Sequence, residues 1–162
     1  KDADVLSTAA RATGTLLPPV VGAVSEIFKT YAVDPKGKRA VVIGAGFLVG
    51  APVAAWLTAQ GAAVTVVTSA TGDLAAALRA ADIIVSGAGS PRLIKPDMLK
   101  EGVILIDAGT SESGGAIVGD ADPACAERCS LFTPVPGGLG PLAVAKLFEN
   151  AVILAEKAIF VH

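Results

Sequence analysis

Short apolar runs rich in β-branched residues alternate along this chain with longer stretches of helical periodicity. The apolar runs predict strands at 39–43, 63–67, 82–86, 103–107 and 131–132. The stretches between them predict helices at 52–60, 74–80, 125–129 and 141–160, with a helical turn at 96–100. Strands that alternate with helices form a parallel sheet joined by right-handed crossovers. The pattern therefore predicts an α/β fold, a three-layer doubly wound Rossmann-type domain with a mainly parallel sheet.

The last predicted helix, 141–160, is long and amphipathic. We expect its apolar residues to face the core. They are Val144, Leu147, Phe148, Ala151, Val152, Leu154 and Ala155.

No charged residue occurs between Ala40 and Gly72, which on length alone would indicate a transmembrane helix. Glycines, Pro52 and scattered hydroxyl residues break this segment into strand, turn, helix and strand. Parallel strands that are buried on both faces also give continuous apolar runs. We therefore expect a buried part of the sheet and no membrane insertion.

Composition narrows the function classes. The chain has 162 residues, a net charge of −2 and a pI near 5.3, with no basic stripe that would indicate nucleic-acid binding. Cys125 and Cys129 are four residues apart and His162 is the one histidine, so we expect reduced thiols, no metal site and a cytoplasmic location.

A glycine-rich turn follows the first predicted strand and precedes the next helix. Backbone N–H groups in this position, together with the helix dipole, favour binding of a pyrophosphate, so the turn predicts a dinucleotide site. The residues concerned are Gly44, Ala45, Gly46, Phe47, Leu48, Val49 and Gly50.

In such folds the residue at the end of the second strand distinguishes NAD from NADP. An acidic residue there binds the ribose hydroxyls of NAD, and a basic residue binds the 2′-phosphate of NADP. This chain has Thr68 and Ser69 there, which are neither acidic nor basic. Their hydroxyls suit either cofactor, and ordinary loop polarity explains them equally well.

A second loop, 133–141, contains three prolines and three glycines. Proline fixes φ and glycine lets another surface approach the backbone, so the loop has a fixed path that suits ligand contact. The alternative is a tight connection before the last helix.

Three aspartates lie near predicted strand and helix ends. Asp107, Asp120 and Asp122 are interpreted as turn and cap residues, with a carboxylate pair for acid/base chemistry or metal binding as the alternative.

Segments at 37–44, 49–54, 81–86, 106–109, 119–122 and 133–141 together resemble the bifunctional methylenetetrahydrofolate dehydrogenase/methenyltetrahydrofolate cyclohydrolase family. The resemblance covers 38–157 and implies that family's NAD(P)-binding domain. Members oxidise 5,10-methylene-tetrahydrofolate by hydride transfer to NADP or NAD, hydrolyse the methenyl product, and are commonly homodimers. A tetrahydrofolate derivative is thus the implied substrate.

The resemblance also implies roles for individual residues. Cofactor contacts beyond the glycine turn would be Gly87, Ala88, Gly89, Gly109 and Thr110. Substrate contacts would be Asp4, Pro136, Gly137, Gly138, Leu139, Gly140 and Pro141.

Departures from the family pattern bear on activity. Ala45 and Gly46 stand where an Arg-Ser pair is usual, which weakens the expectation of NADP and leaves NAD, or no cofactor, open. The family's lysine-bearing first domain has no counterpart here, so we assign no catalytic residue and expect no cyclohydrolase activity from this chain alone. We interpret 1–36 as a remnant of an inter-domain helix and linker, and 37–162 as the dinucleotide-binding domain. A non-catalytic binding module and a dehydrogenase of another substrate are the alternatives.

Overall fold

The computed structural model describes residues 2–7, 14, 16–70 and 73–159. Its main sheet has five parallel strands in the order β2-β1-β3-β4-β7, and a separate antiparallel hairpin pairs β5 with β6. The strands are β1 Arg39–Ile43, β2 Ala63–Val67, β3 Ile83–Ser86, β4 Val103–Asp107, β5 Ser111–Ser113, β6 Ala116–Val118 and β7 Cys129–Thr133.

Helices cover both faces of the main sheet. They are α1 Pro19–Thr30, α2 Gly50–Ala59, α3 Leu74–Ala80 and α4 Leu139–Ile159, with short 3₁₀ helices at Pro96–Met98 and Pro123–Arg128. Alternate strand residues belong to two cores. Val42 and Val85 pack with α1, α2 and α4, whereas Val41 and Ile84 pack with α3 and the 3₁₀ helices. The predicted three-layer α/β fold is confirmed.

The chain reverses its direction of travel across the sheet at β1. It leaves β1 for β2 on one side and returns to β3 on the other, so the carboxyl ends of β1 and β3 form the switch point. The backbone hydrogen bonds of the sheet continue one residue past β1 and β3. The Gly44 N–H donates to the Val67 carbonyl at 2.8 Å, and the Gly87 N–H donates to the Ile43 carbonyl at 2.9 Å. Ligands of open α/β sheets bind at such points.

Several predicted bounds move. The helix expected at 52–60 begins at Gly50, and the helix expected at 125–129 is a 3₁₀ helix that ends at Arg128, after which Cys129 begins β7. Sequence reasoning missed the β5-β6 hairpin. The sequence contains a signal for it, the pair Gly114-Gly115. Both glycines take positive φ, as in a type I′ two-residue hairpin turn.

The predicted core face of the last helix is largely wrong. Val144, Phe148 and Val152 are 54%, 67% and 56% exposed, and Ala151 and Ala155 are exposed as well. Leu147 and Leu154 are half-buried, and the predicted end at Phe160 lies outside the described residues.

Contacts with α1 and the N-terminal segment explain how α4 is turned. The Lys146 ammonium pairs with the Glu26 carboxylate at 3.1 Å, and the buried Asn150 amide donates to the carbonyls of Ala3 and Leu17, each at 2.9 Å. The residues that face α1 are therefore partly polar. An apolar stripe defined by Val144, Phe148 and Val152 is left on the other side.

Candidate functional site

The glycine turn forms a close-fitting backbone cradle at the switch point. Gly44 has φ of +93°, and a Cβ there would come within 2.8 Å of the Gly87 carbonyl oxygen. A Cβ on Gly50 would overlap the carbonyl oxygen of Gly44. Gly46, in contrast, faces open space. The turn therefore brings bare backbone to the start of α2, which suits an anionic ligand.

A cavity of about 460 Å³ opens beside this turn and extends to the end of β2. Thr68 and Ser69 line it from the end of β2, and Ala88 and Ser90 line it from the loop after β3. No charged residue lines the cavity within the described part of the chain. The other lining residues are Ile43, Gly44, Ala45, Val67, Leu74 and Leu93.

A second cavity, of about 450 Å³, lies beyond the carboxyl end of β4. The loop 134–141 supplies much of its lining, together with Gly109 and Thr110. Leu48 and Val49 from the glycine turn and Ile117 from the hairpin complete an apolar surface. Asp107 is the one charged residue in the lining that the structure describes.

The two cavities account for most of the predicted site residues. The residues Gly44, Ala45, Thr68, Ser69 and Ala88 line the first cavity, and the residues Leu48, Val49, Gly109, Thr110, Pro136, Gly137, Gly138, Leu139, Gly140 and Pro141 line the second. Gly46, Phe47, Gly50, Gly87, Gly89 and Asp4 line neither cavity. Leu139 is also only 2% exposed and belongs to the core.

Asp120 is completely buried between the cavities. Its carboxylate accepts hydrogen bonds from the Ser86 hydroxyl, the Ala88 N–H and the Ser90 N–H, each at 2.7 Å. It therefore fixes the loop that follows β3.

Asp107 is 1% exposed and lies beside Asp120. Its carboxylate accepts from the backbone N–H groups of Gly109 at 2.9 Å, Asp120 at 3.2 Å and Ala121 at 2.8 Å. Burial raises the pKa of Asp107, and the charge of Asp120 raises it further, against the lowering effect of the three N–H donors.

The interpretation of these aspartates needs correction, because only Asp122 caps a helix, accepting from the Ala124 N–H at 3.1 Å. Asp107 is a turn residue as predicted, since it accepts from the Gly109 N–H two residues along the chain. Its bonds to Asp120 and Ala121, and those of Asp120 to 86–90, join segments that are distant in sequence, a role that local motifs do not reveal. Among the described residues, no group of histidine, cysteine and carboxylate side chains could hold a metal ion.

A larger cavity, of about 640 Å³, lies at the amino-terminal end of the strands, near Tyr31 and Lys38. Asp82 in its wall contacts Lys100 and accepts from the Arg39 N–H at 2.8 Å, which together lower the pKa of Asp82 to about 2. Ligands of open parallel sheets bind at the opposite end, so we place the candidate site at the two carboxyl-end cavities.

The cysteines are free thiols outside both cavities. Burial raises the pKa of Cys125 to about 11 and that of Cys129 to about 12. Thiols with such pKa values are protonated at neutral pH and are poor nucleophiles. In the described ranges, none of the helices combines the length and apolar character needed to cross a bilayer.

Comparison with known proteins identifies the family. The model of the tetrahydrofolate dehydrogenase/cyclohydrolase NAD(P)-binding domain matches residues 18–159. The bifunctional protein FolD of Methanosphaerula palustris is 47% identical over 143 residues, which are 88% of this chain and 51% of that protein. The chain thus spans about half the length of this relative.

Solved structures agree. Bifunctional FolD from Campylobacter jejuni has a TM-score of 0.93 and 39% identity, over 98% of this chain and 59% of that one. Trypanosoma brucei FolD, complexed with NADP and an inhibitor, has a TM-score of 0.90 and 37% identity, over 99% of this chain and 60% of that one. This chain therefore belongs to the tetrahydrofolate dehydrogenase/cyclohydrolase family and carries its NAD(P)-binding domain.

Proposed function

We propose that this chain binds a nicotinamide dinucleotide across the two carboxyl-end cavities and serves the oxidation of 5,10-methylene-tetrahydrofolate. The observation that carries the proposal is the position of the glycine cradle at the switch point, between a cavity that reaches Thr68 and Ser69 and one lined by the loop 134–141.

The shape of the site fits such a cofactor. The pyrophosphate would lie against the turn Gly44–Gly50, where Gly46 faces open space and the start of α2 supplies N–H groups. The adenosine half would occupy the first cavity, beside Thr68, Ser69 and Ala88. The nicotinamide half would occupy the second, beside Gly109 and Thr110, with Gly87 and Gly89 in the loop between them.

NAD is the better match of the two cofactors. The first cavity offers hydroxyls at Thr68 and Ser69 but, within the described residues, no cation for a 2′-phosphate. Ala45 is part of its lining, where the family's usual arginine would supply that cation. We therefore propose that the chain binds NAD at least as tightly as NADP.

The loop 136–141 is proposed to form the folate-facing floor of the second cavity. Prolines and glycines there present a fixed apolar surface, which orients a ring system without adding charge. The bound nicotinamide supplies the hydride acceptor, and the contribution of this chain's residues is to hold the two reacting carbons together. Asp4 is exposed and outside both linings, and its proposed contact with substrate rests on the family resemblance alone.

Hydrolysis of the methenyl product needs a group that moves protons at an attacking water. Asp107 is the one ionisable residue that the structure places in either lining, and three N–H donors already occupy its carboxylate. We therefore propose that these residues alone do not perform the cyclohydrolase reaction.

Calorimetric titration with NAD and with NADP, followed by a dehydrogenase assay with methylene-tetrahydrofolate, tests the proposal. We expect saturable binding of NAD and absorbance of reduced nicotinamide when the folate domain of a relative is added. Binding of neither dinucleotide would refute the proposal, and binding without turnover under these conditions would favour a non-catalytic module.

Three broader predictions stay proposals. The division into 1–36 and 37–162, the homodimer and the cytoplasmic location derive from the resemblance or from composition. Analytical ultracentrifugation of the purified chain tests the homodimer directly.

A further inference from the structure

The two buried aspartates form one continuous network that joins the walls of both cavities. Asp120 holds Ala88 and Ser90, which line the first cavity. Asp107 holds Gly109, which lines the second. The Asp120 N–H donates to the Asp107 carboxylate at 3.2 Å and so connects the two halves.

The segment that carries Asp120 is itself fixed to the body of the domain. The Asp120 carbonyl accepts a hydrogen bond from the Ile94 N–H at 2.9 Å, and the neighbouring Gly119 carbonyl accepts one from the Arg92 N–H at 3.1 Å. Asp107 is fixed as the last residue of β4, and its N–H donates to the Thr133 hydroxyl at 2.8 Å. These bonds hold the backbone of both aspartates in place.

The loop at Gly109 packs directly against the Asp120 side chain. A Cβ on Gly109 would overlap the Asp120 carboxyl group. Buried carboxylates require hydrogen-bond donors, and here loop N–H groups supply them. The carboxylates therefore select one path for each loop.

We propose that Asp107 and Asp120 are positioning residues that set the two halves of the dinucleotide site in register, Asp120 for the adenosine half and Asp107 for the nicotinamide half. The inference rests on the proposed function, since it assigns each cavity to one half of the cofactor. It goes beyond that function in giving the two aspartates separable roles.

Replacement of either carboxylate by an amide removes one acceptor atom and leaves a buried N–H without a partner. If the loop moves as a result, we expect a loss of affinity of about tenfold, which corresponds to about 1.4 kcal/mol. A loss confined to one half of the site separates positioning from a general loss of folding, because partial unfolding weakens all ligands by the same factor.

The test is calorimetric titration of the chain and its variants with NAD and with ADP, which carries the adenosine half alone. We expect Asp107→Asn to raise the Kd of NAD about tenfold or more with the Kd of ADP unchanged, and Asp120→Asn to raise both. Asp82→Asn is the matched control, a carboxylate at the opposite end of the sheet, and leaves both Kd values unchanged.

Two milder variants keep the inference testable if an amide variant fails to fold. Ser86→Ala removes one donor to Asp120 and must raise the Kd of both ligands, whereas Thr133→Val removes a partner of Asp107 and must raise that of NAD alone. An equal rise in the Kd of NAD and of ADP in Asp107→Asn or Thr133→Val would overturn the inference. Unchanged Kd values for both ligands would overturn it as well. Failure of the unmodified chain to bind NAD would instead refute the proposed function.

Discussion

Gly50 shows how a single residue shapes the candidate site. It begins α2 and lies against the carbonyl oxygen of Gly44, so the turn can close only without a side chain at this position. Gly46, four residues earlier, faces open space. The two glycines therefore differ within one motif, because Gly50 packs against backbone and Gly46 borders the open space where we propose that the ligand lies.

Gly50→Ala is expected to destabilise the fold, because its methyl group overlaps the Gly44 carbonyl and forces the turn apart. We expect a loss of about 1–3 kcal/mol in the free energy of unfolding. Gly46→Ala, the control, is expected to change that free energy by less than about 1 kcal/mol. Urea denaturation measures both, and equal losses would contradict the description of the turn.

Ala45→Arg is expected to shift cofactor preference toward NADP. A guanidinium at this wall of the first cavity would supply a charge-assisted hydrogen bond to a 2′-phosphate, worth ~1.5–3 kcal/mol, or about tenfold or more in Kd. Ala45→Gln has similar length without charge and serves as the control. The ratio of NADP to NAD affinities is the measurement, and the same ratio in both variants would contradict the assignment.

At the scale of elements, α4 shows what hydrophobic periodicity does not determine. Apolar residues lie on more than one side of this helix, so the pattern alone does not identify the packed face. The Lys146 contact with Glu26 and the Asn150 hydrogen bonds turn the Val144, Phe148 and Val152 stripe outward.

Two substitutions on α4 test this orientation. Leu139→Ala is expected to cost about 2–5 kcal/mol, because Leu139 is 2% exposed, whereas Phe148→Ala is expected to cost less than about 1 kcal/mol, because Phe148 is 67% exposed. Thermal unfolding at low protein concentration measures both effects. A large loss for Phe148→Ala would show that the stripe is covered.

At the scale of the whole molecule, the two ends of the sheet have different electrostatics. The carboxyl end holds Asp107 and Asp120 buried among backbone donors, and the amino end holds Asp82 against Lys100 and Arg39. The first arrangement shapes loops, and the second stabilises the fold through charge.

The lowered pKa of Asp82 leads us to expect that the stability of the fold depends on pH. Its pKa is lowered in the fold to about 2, so its contribution is complete above the unfolded value near 4 and is lost as the pH falls through 2. We expect Asp82→Asn to cost on the order of 1 kcal/mol at pH 7, after allowance for solvent screening, and progressively less toward pH 2. Denaturation across this pH range measures the difference, and a constant difference would contradict the ion-pair explanation.

The sequence predicted the sheet well because buried parallel strands have continuous apolar runs and glycine turns mark their ends. It did not predict the hairpin at 111–118, whose strands are short and mostly exposed. It indicated the turn at Asp107 but missed the bonds of Asp107 and Asp120 to distant loops, which only the folded topology brings together. Side-chain patterns predict local structure, whereas contacts between distant loops depend on the completed fold.

The central claim is that a nicotinamide dinucleotide binds at the carboxyl end of the sheet. Titration of the ¹⁵N-labelled chain with NAD, followed by amide chemical shifts, tests it most directly. We predict shifts at Gly44, Gly46, Ser69, Ala88 and Gly109, with none at Tyr31, Lys38 or Gly102 around the larger cavity at the amino end. Shifts confined to the amino end, or no shifts at saturating NAD, would contradict the account.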